Sequence, residues 1–440
     1  MGQQVNRSRR DFLGALAAGA LALPFRPEPA KADIESDEAT PIRHVLICVN
    51  ENRSFDHSYG YAPFVGKYGV PSGYSQPNGL GGSVAPTPYY LPTTPNPTHD
   101  WPTIHAEWDN GKMDGFYTAN GEPAMLYYTE PSLPFYYSLF RNFTLCVNYH
   151  CSQLGPTYAN RLYTVGATSG GITTNNLTPG SLNWPIILDL LEAHKITWKV
   201  YGIEQPCSVS NIIGSQYCDN IFQFFQRWFT DPRVTSYSES DYYADLSGGT
   251  LPQVSFVMTD DISGEHPPYD LDYGQSLQQK LIGALMQSQY WPSSAYIFTY
   301  DEAGGFFDHV TPPVFDAYGA GIRVPTWIIS PYAKPAHLEP TLYEHSSILK
   351  FIERVFRIPT LASINHQFDQ KTPGGANNNA ANGAGYGPPA PPRDSRRDIG
   401  DLFQCFRFCA EATPKSEVPG PPFGLDVRYP SRCLAGRVWF

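Results

Sequence analysis

The chain has 440 residues and a formal net charge of −11, with 16% charged and 41% hydrophobic residues. That length permits one large α/β domain or two ordinary ones. The acidic balance argues against a nucleic-acid partner and against a polybasic grip on anionic lipid.

In chain order, residues 1–32 read first as an export signal. Arg9-Arg10 precede Asp11-Phe12-Leu13, an apolar run follows to Phe25, and Ala30-Lys31-Ala32 supplies small residues around a cleavage point. A twin arginine, a short apolar stretch and such a site match a Tat-type signal, with an ordinary Sec signal or an uncleaved anchor as the competing readings. The expectation is a periplasmic or secreted protein, handed to the Tat machinery, whose mature form carries no transmembrane anchor. No later stretch is long and apolar enough to span a bilayer. Eight cysteines in an exported chain make disulfides an expectation. Cys207 and Cys218 flank a short polar loop, one further bridge is expected among Cys405, Cys409 and Cys433, and Cys48 reads as a buried thiol.

After the signal, short β-branched or apolar runs end in turn residues at His44–Val49, Ile196–Tyr201, Val254–Met258, Ala295–Tyr300 and Val324–Ser330. Helical spacing appears between or after them at Trp184–His194, Ser276–Trp291 and Ser346–Phe356. Alternation of this kind predicts an α/β fold, a mostly parallel central sheet with helices on both faces. The 42 Pro, 38 Gly and 29 Tyr residues add long ordered loops. The expected organisation is one catalytic domain over residues 33–365, a flexible Gly/Asn/Pro-rich loop over 366–395, and an extension over 396–440 that packs back on the domain.

Ligands in open α/β sheets bind beyond the carboxyl ends of the strands, so polar clusters there are the places to look. His44–Val49 runs into Asn50-Glu51-Asn52-Arg53-Ser54-Phe55-Asp56-His57. Ala295–Tyr300 runs into Asp301-Glu302 and on to Asp308-His309, and Val254–Met258 into Asp260-Asp261 and then Glu265-His266. Glu344-His345 stands just before a helix. Glu51, Asn52, Asp301 and Glu302 are hard oxygen donors suited to one divalent cation, with Ca, Mg, Mn and Zn all open. In Gly155-Pro156-Thr157, Gly-Pro signals a helix start, which puts Thr157 in the first turn where free N–H groups favour an anion. Arg161 follows one turn later on the same face, so the pair could form a phosphate cradle and nucleophile. Taken alone, the segment reads better as a helix-start Thr with a surface Arg. Beside a cation and histidines, the same residues compose phosphoryl ester hydrolysis.

The motifs themselves resemble the bacterial phosphoesterase family of phospholipases C and acid phosphatases. Glu51-Asn52-Arg53-Ser54-Phe55-Asp56-His57 is similar to the family's opening motif. Thr98-His99-Asp100-Trp101, Gly155–Tyr163, His266-Pro267-Pro268, Tyr300-Asp301-Glu302 through Val310, Arg323-Val324-Pro325 and Glu344-His345 follow in the family's order. The resemblance implies an alkaline-phosphatase-like fold, with Glu51, Asn52, Asp301 and Glu302 as metal ligands and Thr157 as the nucleophile of a covalent phosphothreonine intermediate. Thr157 could ligate as well. It also implies that His99, His266, His345 and His309 contact phosphate or leaving group, while Asp56, His57 and Asp308 hold the site by hydrogen bonds. Ala159 stands where the family usually has Pro, and Ser58-Tyr59-Gly60 lacks a second aromatic. Neither change removes a chemical group.

The expected substrate is a phosphate ester, foremost a phospholipid cleaved as a phosphodiester. A broad phosphomonoesterase and, from another class, a non-catalytic exported binding protein are the alternatives. The binding protein predicts loss of an essential group, yet Glu51, Asn52, Thr157, Asp301 and Glu302 are all present. A sulfatase is disfavoured because no Cys or Ser heads a C/S-x-P-x-R motif. His150 is a further candidate to face the site, whereas His44, His105, His194, His337 and His366 lack motif context.

Overall fold

The structure is a computed structural model that describes residues 40–203, 220–364 and 390–408. The export signal, Cys207, Cys218, Cys409, Cys433, His366 and most of the loop expected over 366–395 lie outside the described residues.

The core is an eight-stranded sheet. In chain order its strands are β1 (His44–Asn50), β2 (Thr144–Cys146), β3 (Trp198–Gly202), β4 (Tyr237–Ser238), β5 (Val254–Met258), β6 (Ser294–Tyr300), β7 (Thr326–Ile329) and β8 (His337–Glu339). Their spatial order is β8-β2-β7-β6-β1-β5-β3-β4. β1 pairs in parallel with both β6 and β5, and β3 with both β5 and β4. β7 alone runs against its neighbours, antiparallel to β6 and to β2, while β8 is parallel to β2. The α/β class and the mostly parallel sheet thus agree with the expectation, with one reversed strand added. β2, β4 and β8 are two or three residues long, too short for any periodic pattern.

Both faces carry helices, which the alternation of β1 shows directly. Ile47 and Val49 share a small gap with Arg161, Thr164 and Val165 of the helix Thr157–Gly166. The Cys48 thiol faces the other way, 3.2 Å from Gln278 Nε2 on the helix Leu271–Gln287. Every residue of β5, β6 and β7 is buried, as parallel-type strands covered on both sides require. Leu271–Gln287 starts earlier than its apolar spacing suggests because the Asp270 carboxylate accepts the Asp272 N–H as an N-cap. Ser346–Phe356 forms as expected, and Trp184–His194 shortens to Ile187–Ala193. No described helix is long and apolar enough to cross a membrane.

Cys48 is a buried thiol. The neighbour of Cys405 among the described cysteines is Cys146 on β2, with the sulfurs 3.7 Å apart and unbonded. Residues 390–408 pack on the body through Arg393, which is 1% exposed. Its guanidinium bonds Asp316 at 2.8 and 2.7 Å, the Ser152 carbonyl at 2.6 Å and the Gly319 carbonyl at 2.7 Å. Arg393→Ala strips one buried cation from three acceptors, so a loss of about 3 kcal/mol is expected in denaturant unfolding. Arg393→Lys should recover only part of it, because an ammonium cannot reproduce the planar fork. Equal stability of the two variants would show that the fork is not what holds the segment.

Candidate active site

The parallel register of β1 and β6 sets Asn50 beside Tyr300, so the residues that follow, Glu51 and Asp301, emerge side by side. Backbone and side chains then lock the two strand ends together. Asp301 N–H donates to the Asn50 carbonyl at 3.0 Å, and Arg53 N–H to the Glu302 carbonyl at 3.0 Å. The Asp301 Oδ1 accepts the N–H groups of Asn52 at 3.1 Å and Glu302 at 2.7 Å. Asn52 adopts a left-handed backbone with φ of 63°, which Asn tolerates better than most residues. Gly304, at φ of 67°, passes so close that a Cβ there would lie 2.5 Å from the Asn52 carbonyl oxygen.

Arg161 ties this junction to the helix Thr157–Gly166. Its Nη2 lies 2.7 Å from Glu51 Oε1 and its Nε 3.0 Å from Asp301 Oδ2, all three residues being buried. The sequence placed Arg161 on a phosphate cradle; the guanidinium is instead clamped to two carboxylates. Thr157 begins the same helix one turn earlier, behind an N-cap at Pro156, and is 5% exposed. Asn160 shapes the approach to it, its Oδ1 accepting the N–H groups of Ser152 and Gln153 at 2.8 and 2.9 Å and its Nδ2 donating to Gly155 O at 2.7 Å. Asn175 Oδ1 accepts the Tyr158 N–H at 2.9 Å.

Two half-buried histidines face the carboxylates. His99 donates Nδ1–H to the Pro97 carbonyl at 2.8 Å, and its Nε2 stands 3.4 Å from Asn52 Nδ2 and 3.9 Å from Glu302 Oε1. His266 donates Nδ1–H to the Pro267 carbonyl at 2.5 Å and sets Nε2 3.8 Å from Glu51 Oε2. The rings are 5.9 Å apart. Burial holds the His266 imidazole below its ordinary pKa, partly offset by the Asp261 charge. Two buried oxygens here have no hydrogen-bond partner, Asn52 Oδ1 and Glu302 Oε1. Burial, then the Asp301 charge, pushes the Glu302 carboxyl well above the usual range.

The remaining expected residues are engaged differently. His345 is fully buried, with Nε2–H donated to the Asp301 carbonyl at 2.7 Å and Nδ1 3.3 Å from the Tyr149 hydroxyl, so it braces Asp301 from behind. His309 sits in a second cluster, its Nδ1 2.5 Å from Asp56 Oδ2. Asp56, Asp308 and His309 offer ligand atoms within 4.8 Å of one another, but Arg323 bonds both carboxylates at 3.0 Å. Burial raises Asp56, yet the charges of His309 and Arg323 outweigh it and hold the carboxyl below its ordinary value; burial dominates at Asp308, pushed up to about 6. His57 donates to the Leu126 carbonyl at 2.6 Å and stacks on Phe306, and burial lowers its pKa. His150 is buried between the Gly321 carbonyl and Asn148.

Sequence reasoning gave no role to Glu265, which backs the site. Its carboxylate accepts from the Tyr136 hydroxyl and, at 2.6 Å, from the Tyr300 hydroxyl, while its carbonyl accepts Arg53 Nη2 at 2.7 Å. Nothing in the local pattern Gly264-Glu265-His266 signals this, since both tyrosines arrive from distant segments.

With this geometry in place, the comparisons with known proteins decide the family. The family model described as "Phosphoesterase family" matches residues 42–359. The chain belongs to that family. Phosphoesterase relatives include phospholipase C A of Mycobacterium tuberculosis, 30% identical over 427 residues that cover 80% of this chain and 81% of that protein. The non-hemolytic phospholipase C of Burkholderia pseudomallei is 29% identical over 479 residues, covering 87% of this chain and 68% of its own. Among solved structures, a protein in the alkaline phosphatase superfamily from Vibrio parahaemolyticus is 13% identical with a TM-score of 0.37, over 76% of this chain and 69% of that one. As a phosphoesterase, the chain is a phosphoric ester hydrolase.

Burial pushes the Glu265 carboxyl up to about 7, against hydrogen bonds from Tyr136 and Tyr300 that lower it. The folded protein therefore holds this proton more tightly than the unfolded chain, so the associated stability is full below about pH 4.5 and is lost as pH rises toward about 7. Melting temperature should fall across that window in the wild type, and Glu265→Gln should flatten that part of the slope. An unchanged slope would assign the pH dependence to other groups.

Proposed function

We propose that the protein cleaves phosphodiesters in the manner of a phospholipase C, through a covalent phosphothreonine formed at Thr157 and with one divalent cation. The observation that carries this reading is the pair of unpartnered buried oxygens, Asn52 Oδ1 and Glu302 Oε1, beside Glu51 and Asp301. Leaving such atoms without a donor costs roughly 1–3 kcal/mol each, more for a charged group, and a hard cation relieves that cost with the donor set it prefers. Arg161 offsets charge on Glu51 and Asp301, while one oxygen of the Glu302 carboxylate accepts no hydrogen bond. Glu51, Asn52, Asp301 and Glu302 would hold the ion, which would favour the ionised form of the Thr157 hydroxyl and neutralise charge on the phosphoryl group.

The chain's own residues supply the rest. Thr157 Oγ1 forms the new bond to phosphorus as the bond from phosphorus to the leaving alkoxide breaks. The backbone N–H of Thr157, in the first turn of its helix, favours the phosphoryl oxygens. His99 and His266 both keep a proton on Nδ1, against a carbonyl, and so present Nε2 to the site. One of them takes the Thr157 proton and passes it to the departing alkoxide, and the same base then activates the water that hydrolyses phosphothreonine. His345 acts at one remove, by fixing the Asp301 backbone.

A diester substrate, and a phospholipid in particular, is supported by the names of the relatives, several of them phospholipases C. Thr157→Ala should lower hydrolysis by at least roughly a thousandfold while circular dichroism remains that of the wild type. Near-wild-type turnover in that variant rejects Thr157 as nucleophile. A chelator should remove activity, one divalent ion should restore it, and elemental analysis of the purified protein should find about one equivalent. Parallel assays should show release of diglyceride from phosphatidylcholine exceeding hydrolysis of a nitrophenyl phosphate monoester. The reverse order would make the protein a phosphomonoesterase.

A further inference from the structure

Five of the eight large apolar side chains exposed among the described residues stand on the two segments that supply His99 and His266. Tyr90 and Leu91, 64% and 59% exposed, lie on the segment leading into His99. Ile262, Tyr269 and Tyr273 flank His266, with Ile262 47% exposed. The segments are fastened to each other and to the site. Leu271 N–H donates to the Pro92 carbonyl at 3.0 Å, and Tyr269 N–H to the His266 carbonyl at 2.7 Å. The Tyr128 hydroxyl holds the Leu91 carbonyl at 3.0 Å, and Thr94 takes Arg53 Nη1 at 2.8 Å. These apolar groups are therefore held in water by an ordered rim around the two histidines. Exposed apolar groups gathered in this way mark a binding surface.

The charge of the rim selects the partner. Residues 89–100 and 259–274 contain no Lys or Arg, but they hold Asp100, Asp260, Asp261, Asp270 and Asp272. Such a rim repels a surface of bare phosphates and attracts one whose outermost groups are cationic. Tyrosine faces add attraction for a quaternary ammonium and, being apolar with a polar tip, sit well at a lipid–water boundary.

We propose that this rim docks the protein on a zwitterionic phospholipid surface, with Leu91, Tyr269 and Tyr273 entering the interface and the aspartates facing the cationic ends of the headgroups. This rests on the phosphodiesterase reading above and names the surface on which that site works. Docking brings the phosphodiester layer to His99 and His266 without requiring a lipid to leave the bilayer first. Binding of this kind scales with the apolar area inserted, so removing three side chains has a large effect.

The test compares the full chain with a Leu91→Ser, Tyr269→Ser, Tyr273→Ser variant on bis(p-nitrophenyl) phosphate, a soluble diester with no ammonium group, and on phosphatidylcholine vesicles. The variant should keep soluble-diester turnover within about twofold and lose at least roughly tenfold on vesicles through a higher half-saturating lipid concentration. Unchanged vesicle turnover, or equal loss on both substrates, overturns the proposal. Cosedimentation in a Thr157→Ala background decides the rim even if neither diester is cleaved, an outcome that would reject the phosphodiesterase reading instead. There the chain should bind phosphatidylcholine vesicles and the triple variant should not. Asp272→Lys should shift binding toward phosphatidylglycerol vesicles. Equal binding of the unaltered rim to both lipids overturns its assignment to zwitterionic surfaces.

Discussion

The guanidinium of Arg161 joins three parts of the molecule that are distant in sequence. It bonds Glu51 at the end of β1 and Asp301 at the end of β6, and it stands one turn along the helix that begins with Thr157. Buried ion pairs of this sort add little net stability, but breaking one leaves an uncompensated charge in a water-poor interior. That penalty makes the arrangement specific. Helix and strand ends can take few relative positions in which all three charges remain paired. The parallel register of β1 and β6 does the preparatory work by delivering two carboxylates to adjacent exits.

Around this clamp the polar groups sort by degree of satisfaction. At Asp56, Asp308, His309 and Arg323 the carboxylates and the guanidinium bond one another, forming a closed network that secures the loop after β6. At Asn52 and Glu302 one oxygen each is buried and unpartnered. Satisfied networks stiffen a protein, whereas a buried oxygen without a hydrogen-bond donor, set among carboxylates, leaves room for a ligand atom. The difference separates the framework from the proposed working surface, although both clusters carry the same residue types. Behind them, His345 donates to the Asp301 carbonyl and Arg53 to the Glu265 carbonyl, next to His266, fixing the backbone on which the working groups stand.

Much of this was legible in the order of residues. β1, β5 and β6 are continuous apolar runs, as strands covered on both faces must be, and each ends in polar residues. The chemistry of Glu51, Asn52, Asp301 and Glu302 as oxygen donors is a property of the side chains alone. So is the helix start near Thr157, because Gly-Pro signals a first turn, although Pro156 takes the N-cap and not the first helical position. The short strands β2, β4 and β8 were not legible, since two or three residues carry no period. Nor was the reversal of β7, which depends on the path of residues 301–325 rather than on any local preference.

By itself the sequence determined the α/β alternation, the strand-end positions of the acidic residues and the family to which the chain belongs. The first two follow from local hydrophobic period and side-chain chemistry, and the family from the order in which its motifs recur along the chain. Only the tertiary structure decided that Arg161 grips carboxylates, that His309 joins Asp56 while His99 and His266 face the oxygen donors, and that Glu265 receives two tyrosine hydroxyls. Each of those pairings spans many residues along the chain. Which partner a buried charge finds is set by how sheet and helices pack, and local sequence carries no record of that distance.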